Sequence, residues 1–281
     1  MGSTRLRLPE IVVPGQRLGR NVNHDPRSLA FQVPATSNPA TTSWKRVLPV
    51  LDQGSLGSCT GNAMTGVLGS EVCWDALTPA QRSALGEVFA VKIYSRATQL
   101  DGFQGTYPPD DTGSDGLSAA KAVKEVGFAS GYLHMTSVEA MHTAIQAGPF
   151  AVGLSWYSGF DSPDSEGVVK VSGHVRGGHE WEVLNYAASR GLWECVNSWS
   201  DAWGKGGHFF ISDEDMARLL AEEGDATSLV PITAPAPTPT PTIVSVTLTG
   251  DQKAAMDSWA TSPHNWRRST AAGRAWNAAA I

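Results

Sequence analysis

The segment "DQGSLGSC", residues 52–59, places a glutamine amide six residues before a thiol. A thiolate is the nucleophilic form of cysteine, and a helix that begins at Cys59 would favour negative charge on its sulfur. The Gln53 amide and the backbone N–H of Cys59 could then donate to the oxygen that becomes negative when the thiolate attacks a carbonyl group. The alternative stays open: the segment is a plain turn into a helix, and Cys59 is a small buried apolar residue.

A nucleophilic thiol also needs a base and a group that orients the base. His179 follows two glycines in "RGGHEWEVLNY", and Asn197 lies in "CVNSWSDAWG". The turn "AASRG" predicts a hairpin that brings the Asn197 carbonyl beside the imidazole, where it would accept the ring N–H. Trp199 and Trp203 are predicted to cover this pair and keep water from it.

Each of these residues also has a structural interpretation. A histidine after Gly-Gly is commonly a turn or core residue, and an asparagine before Ser-Trp commonly bonds at a strand end. Spacing alone does not exclude His174 as the base. The histidines that compete with His179 are His134, His142, His174 and His208. Cys73 and Cys195 are predicted to be buried thiols without a chemical role.

The elements that must position these groups change type midway along the chain. Helical spacing is found in the first half and strand-like runs in the second, which predicts an α+β fold with a cleft between the halves. After Cys59, the apolar residues at helical spacing are Ala63, Met64, Val67 and Leu68. In residues 81–100 they are Leu85, Val88, Phe89, the Lys92 stem and Ile93. Further helices are predicted in 116–128 and 137–148, the latter with Ser137 as N-cap and Gly148 as stop. Strands are predicted in 149–157, 167–175, 179–187, 192–199 and 207–212.

Composition narrows the function classes. The 281 residues carry a formal charge of −6, which offers no basic surface for nucleic acid. No apolar run approaches the ~18 residues of a membrane span, and the polar first 20 residues lack the core of a secretory signal. Three cysteines fit neither a disulfide framework nor a zinc site, so we expect no metal and no cofactor. A cytoplasmic or virion-associated location is expected; the oligomeric state is not predicted.

Composition also divides the chain. Residues 1–43 show no sustained period and are predicted to form an extended arm, and residues 44–231 have globular character. Residues 232–242 include "APAPTPTPT", a proline-alternating run typical of a semi-rigid linker. Residues 243–281 form a short tail that is predicted to be partly helical.

Taken together, the segments resemble the papain family of cysteine peptidases, in particular its prokaryotic and viral type, over about residues 44–215. "VLPVLDQGSLGSCTGNAMTG", "GGHEWEVLNY" and "LWECVNSWSDAWG" carry the resemblance, in family order. It implies a helical left half and a β-barrel-like right half, with the active site in the cleft between them.

By this resemblance, Cys59 is the nucleophile, His179 the general base and acid, Asn197 the residue that orients it, and Gln53 the oxyanion donor. Substrate-binding positions are Gly113 and Ser114, as a backbone strip that pairs with an extended peptide, and Gly178. The implied partner is a peptide or protein substrate.

Four features depart from the family pattern. Leu56 replaces a half-cystine, and Ser200 replaces a glycine. Glu180 and Glu182 follow the histidine where apolar residues are usual, and Glu180 either raises the basicity of His179 or points away on the other face of the strand. A long inhibitory prosegment is missing; at most, the arm of residues 1–43 could lie in or near the cleft and block it.

The sequence therefore predicts a cysteine peptidase that acts through an acyl-enzyme. Two alternatives remain: a peptidase directed to cell-wall crosslinks or to a virion protein by residues 243–281, or a catalytically inactive relative kept as a binding module.

Overall fold

The computed structural model describes residues 4–25, 28, 33–34 and 39–232. The predicted tail and all of the predicted linker except Ile232 lie outside the described residues. The helices are α1 (Cys59–Leu68), α2 (Cys73–Ala76), α3 (Pro79–Ala84), α4 (Glu87–Leu100), α5 (Gly116–Glu125), α6 (Val138–Ile145) and α7 (Asp213–Ala221). The strands are β1 (Thr4–Leu6), β2 (Val22–His24), β3 (Gly131–Met135), β4 (Phe150–Tyr157), β5 (Val175–Ala187), β6 (Leu192–Val196), β7 (His208–Ser212) and β8 (Asp225–Val230).

The fold is the predicted α+β arrangement of a helical half and a sheet half. Six strands form one antiparallel sheet in the order β3-β8-β4-β5-β6-β7, which corresponds to the predicted barrel-like half. One apolar core lies against this sheet and contains Trp156, Trp181 and Trp193. A second core lies among α1, α4 and α5. Within the described residues, no helix is both long and apolar enough to cross a bilayer.

Helix α1 is enclosed by both halves. All ten of its residues are buried, including the predicted stripe, and it packs against α4, α5 and β5. The close approach to α4 depends on Gly61, because a Cβ at this position would overlap the Ala90 carbonyl oxygen. The first residue of α1, Cys59, is thereby held between the helices and the sheet.

Two sequence predictions are wrong at element boundaries. Residues 81–100 are divided between α3 and α4, because the backbone of Leu85 is extended and Gly86 has φ +149°. The break changes which face of α4 points to the core, so that Phe89 and Ile93 are buried and Val88 is 87% exposed. Residues 167–174 are irregular apart from a bridge at Val168, and β5 instead begins at Val175, so that His179 lies inside this strand rather than at its start.

The described part of the predicted arm packs on the globular region. Strands β1 and β2 pair with each other, and the segment between them passes over the region where α1 meets β5. Leu18 is completely buried and belongs to the sheet core. The arm is thus a packed part of the fold.

The predicted hairpin is formed by β5 and β6, which pair in antiparallel register with Glu182 opposite Val196. Asn197 directly follows β6, and the chain then turns back toward Leu51, whose carbonyl accepts the Ser200 N–H at 3.0 Å. Ser200 holds this turn with φ +62°, in the left-handed region where the predicted family pattern has glycine.

We predict that Ser200→Gly stabilises the protein. The left-handed backbone costs a residue with a Cβ about 1–2 kcal/mol, and glycine loses about 0.5–1 kcal/mol through its larger unfolded-state entropy. The free energy of unfolding from urea denaturation should therefore rise by about 0.5–1 kcal/mol. Ser162→Gly, at an exposed loop position, is the control and should not stabilise; a decrease for Ser200→Gly would show that this turn is not strained.

Candidate active site

Cys59 is the first residue of α1 and is completely buried. Its sulfur accepts hydrogen bonds from the backbone N–H groups of Thr60, in the first turn of the helix, and of Glu180, on β5. The side chain of Ser58 does not cap the helix, since its hydroxyl donates to Asn62 instead. The thiol therefore lies at the helix N-terminus and is in hydrogen-bond contact with the residue next to His179.

His179 and Asn197 form the predicted pair. The Asn197 Oδ1 lies 2.8 Å from Nε2 of His179 and also accepts the N–H of Ser198 at 2.7 Å. Because this oxygen only accepts, Nε2 carries the proton in the neutral imidazole and Nδ1 has a free lone pair. Nδ1 is buried and makes no hydrogen bond within the described part of the chain, which leaves it available to take a proton.

Aromatic rings enclose the imidazole. Trp199 stacks on His179 with 4.9 Å between ring centroids, and Trp156 meets the same ring edge-on at 5.0 Å. Trp203 packs on Trp199 and Trp156 and supports this enclosure from one layer further out. The rings fix the orientation of the imidazole and exclude water from its bond to Asn197.

Gln53 is linked to the same network through the segment that follows β6. Its Oε1 accepts the Ser198 hydroxyl at 2.6 Å, and its backbone N–H donates to the Ser198 carbonyl at 2.9 Å. One N–H of its amide donates to the Leu56 carbonyl at 2.8 Å, which leaves the second N–H free to act as a donor. The loop before Cys59 and the segment after Asn197 are thus held together by Gln53.

The three predicted substrate-binding residues all contact the arm. Arm residues Gly19 and Arg20 donate their backbone N–H groups to the Gly178 carbonyl at 3.1 and 2.9 Å. The Ser114 N–H donates to the Gly19 carbonyl at 2.9 Å, and the Ser114 carbonyl accepts from Asn21 at 2.7 Å. Gly113 has φ +66°, and a Cβ on this residue would overlap the Gly19 carbonyl. The backbone groups expected to pair with a substrate are therefore paired with the chain itself.

The arm also approaches Cys59. A Cβ on Gly19 would overlap the carbonyl oxygen of Gly57, two residues before Cys59. Trp199 donates its indole N–H to the Arg17 carbonyl at 2.9 Å. The backbone from Arg17 to Asn21 thus lies over the cleft from the tryptophan side to the Ser114 side.

Burial favours the neutral form of both Cys59 and His179. Desolvation, followed by repulsion from Glu180, raises the pKa of the Cys59 thiol far above its usual range. Desolvation lowers the pKa of His179 to about 4, although the hydrogen bond that the ring donates to Asn197 acts in the opposite direction. Loss of water disfavours the charged form of each group, so that thiol and imidazole are both uncharged at neutral pH.

Glu180 points away from the His179 ring, the second of its two predicted orientations. Its carboxylate lies beside Gly116 and Gly153, where a Cβ on either glycine would overlap it, whereas the His179 ring faces the tryptophans. Period-two alternation along β5 accounts for the opposite directions of these neighbours. Glu182 is buried as well and pairs with Arg46 at the back of α1.

The competing histidines lie elsewhere. His174 faces the Ser158 hydroxyl at 3.4 Å, and His142 and His208 pair with Asp213 and Glu194. His134 is buried near Asp225. All three cysteines are unpaired and buried, and burial raises the pKa of Cys73 to about 12. Among the residues that the structure describes, no cluster of side chains is arranged to hold a metal ion.

Sequence reasoning missed the residues that position the predicted substrate strip, Gly113 and Ser114. The Tyr94 hydroxyl accepts the Gly113 N–H at 3.0 Å and donates to Asp111 at 2.6 Å. The Ser114 hydroxyl donates to Asp101 at 2.8 Å. These contacts join α4 to a loop that follows it, and Tyr94 falls on the buried stripe of α4, where periodicity predicts only core packing.

Comparisons with known proteins agree with this arrangement. The model of the papain family of cysteine proteases matches residues 99–224, which include His179 and Asn197, whereas Gln53 and Cys59 precede the matched stretch. Among curated proteins, none matches the chain.

Solved structures extend the similarity to most of the chain. Xylellain, a cysteine protease from Xylella fastidiosa, is 15% identical with a TM-score of 0.52, over 83% of this chain and 99% of that one. The proform of the Amb a 11 cysteine protease, a ragweed pollen allergen, is 16% identical with a TM-score of 0.50, over 73% and 72% of the two chains. At these identities the likeness shows the fold. The fold is thus papain-like, and the family match over residues 99–224 supports a cysteine-type peptidase.

Proposed function

We propose that the chain hydrolyses peptide bonds with Cys59 as nucleophile and His179 as base, and that its own arm holds it in a latent state. The observation that carries this proposal is the meeting of α1 and β5. The Cys59 sulfur accepts a hydrogen bond from Glu180, and the adjacent His179 has a free Nδ1 while Asn197 holds its Nε2.

In the proposed reaction, Nδ1 of His179 takes the thiol proton, and the Cys59 thiolate attacks the carbonyl carbon of the scissile bond. The C–N bond then breaks, and the imidazolium returns the proton to the departing amine. Water, deprotonated by the same imidazole, attacks the thioester and releases the carboxylic acid and the thiol. Asn197 keeps Nε2 protonated in both steps and stabilises the imidazolium.

Two donors are available for the oxygen that becomes negative during the attack. The Cys59 N–H is one of the first-turn groups of α1, and the second amide N–H of Gln53 is free. Loss of one such donor typically costs about 10²–10³ in rate. We assign Gln53 and the Cys59 N–H to this role.

Latency follows from the contacts of the arm. Residues 17–21 occupy the backbone groups of Ser114 and Gly178 that a substrate needs, and burial under the arm keeps the thiol and the imidazole uncharged. Release of the arm would return water to the cleft and favour the thiolate–imidazolium pair. This assigns an inhibitory role to the arm.

The two other functions predicted from the sequence have different support. Residues 243–281 lie outside the described residues, so direction to a cell wall or virion stays a prediction. An inactive binding module requires an impaired site, whereas the hydrogen bonds around His179 and Gln53 favour an active one.

We predict that Gly19→Val in the full chain opens the cleft. The added side chain would overlap the Gly57 carbonyl and displace the arm. The rate at which iodoacetamide labels Cys59, followed by peptide mass spectrometry, should rise at least about tenfold, and cleavage of a broad peptide library should appear. Cys59→Ala in the same background should abolish cleavage.

Gly15→Val is the matched control, because a Cβ at Gly15 meets no atom within 4 Å although its φ is also positive, at +75°. This variant should keep the low labelling rate of the parent. Equal labelling of Gly19→Val and Gly15→Val would contradict inhibition by the arm. If iodoacetamide labels Cys59 rapidly in the Gly19→Val chain but this chain cleaves no peptide, the result would contradict the peptidase mechanism.

We also predict that His179 in the parent chain titrates near pH 4, well below the usual value of about 6.5. The unfolded chain binds this proton at higher pH than the folded chain, so this residue makes the fold less stable as the pH falls from about 6.5 to about 4. Nitrogen-15 NMR of histidine-labelled protein, assigned with His179→Gln, should show a neutral ring at pH 5.5. Half-protonation near pH 6.5 would show that the ring is not desolvated.

A further inference from the structure

The side chain of Arg20 enters a pocket of carboxylates beside the nucleophile. It is completely buried, and its Nη2 lies 2.6 Å from Asp225 Oδ1 and 2.7 Å from the Glu223 carbonyl. Arg20 Nε and Glu180 Oε2 both lie next to Gly153: a Cβ on this glycine would be 2.8 Å from Arg20 Nε and 2.4 Å from Glu180 Oε2. The arm thus places a guanidinium between two buried carboxylates.

The pocket is built from four elements and carries excess negative charge. Glu180 comes from β5 and Asp225 from β8, Gly153 lies on β4, and Asp115 caps the N-terminus of α5. His134 on β3 also faces Asp225. Desolvation by burial, followed by repulsion from Asp225, raises the pKa of Glu180; attraction to Arg20 lowers it, and repulsion from Asp115 raises it further. A cation in the pocket therefore favours the charged form of its carboxyl groups.

The pocket and the catalytic residues are joined through the backbone. Glu180 donates its N–H to the Cys59 sulfur, and its side chain forms one wall of the pocket. The backbone of Arg20 pairs with the predicted substrate positions Ser114 and Gly178. A chain that lies along these positions therefore directs one side chain into the pocket.

Arg20 leaves some of the hydrogen-bonding groups in this pocket unpaired. Its Nε and Nη1 and the Glu180 Oε2 make no hydrogen bond within the described residues, although all three atoms are buried. A guanidinium has five N–H donors, so these groups can make further bonds when the occupant changes. When Arg20 leaves, Asp225 loses its ion-pair partner and Glu180 loses a neighbouring cation, and a second cationic side chain would replace it at the lowest cost.

We propose that this pocket selects a basic side chain of the substrate, arginine in particular, and that Arg20 of the arm occupies it in the substrate's place. The inference rests on the proposed function in that the occupant is a substrate of the Cys59 site. It assigns Glu180 and Asp225 as residues that determine specificity. It also gives a reason for the acidic residue after His179, where the resembled family has an apolar one.

The test measures binding rather than cleavage, so that it stands apart from the proposed chemistry. The protein is the full chain with Cys59→Ala and Gly19→Val, and the probes are blocked alanine pentapeptides that carry one arginine or one citrulline. Citrulline has nearly the shape of arginine without its charge. The residue is moved through all five positions, and the Kd of each peptide is measured by isothermal titration calorimetry.

At one position, arginine should bind at least about tenfold more tightly than citrulline, as expected for a charge pair removed from water. Asp225→Asn in the same chain should reduce this ratio several-fold, with Asp164→Asn, on an exposed loop, as the control. Equal Kd values for arginine and citrulline at every position, or no binding of any peptide, would overturn the inference. Cleavage of peptides without basic residues by the Gly19→Val chain would leave the peptidase proposal intact in that case.

A second measurement avoids changes in the pocket. In the otherwise unaltered chain, Arg20→Lys should keep Cys59 protected from iodoacetamide, because lysine retains the charge that the carboxylates require. Arg20→Met, of similar length but uncharged, should raise the labelling rate at least about tenfold. Equal rates for the two variants would show that the charge of residue 20 does not hold it in the pocket.

Discussion

The hydrogen bond from the Glu180 backbone to the Cys59 sulfur joins the two halves of the molecule at one point. It exists because α1, buried along its whole length, begins where β5 crosses it. The helix supplies N–H groups to the thiol, and the strand supplies His179 on one face and Glu180 on the other. The proposed nucleophile, the proposed base and the wall of the acidic pocket thus depend on a single register between a helix and a strand.

Other contacts keep that register fixed. Gln53 ties the loop before α1 to Ser198, and Ser198 is bonded in turn to Asn197, the partner of His179. The loop before Cys59 and the segment after β6 are therefore linked and cannot move independently. The same cleft accepts the arm through backbone pairs at Ser114 and Gly178, so that the geometry suited to an extended peptide also suits the chain's own N-terminal residues.

Much of this site could be predicted, because its signals are local. Apolar spacing after Cys59 predicts α1, and the short turn between β5 and β6 brings Asn197 beside His179. The exposure of Val88 could not be predicted, since it depends on a break at Gly86 that changes the phase of α4. The pocket around Arg20 could not be predicted either, because Arg20 pairs with Asp225, about two hundred positions away along the chain.

Whether Cys59 and His179 form a charged pair once the arm is displaced can be measured from thiolate absorbance near 240 nm against pH, in the full chain carrying Gly19→Val. With His179 present, a thiolate should persist through neutral pH and disappear only on acidification. With His179→Gln, the thiol should titrate near its ordinary value of about 8.5. Identical titration curves with and without the imidazole would contradict the pairing on which the proposed catalysis depends.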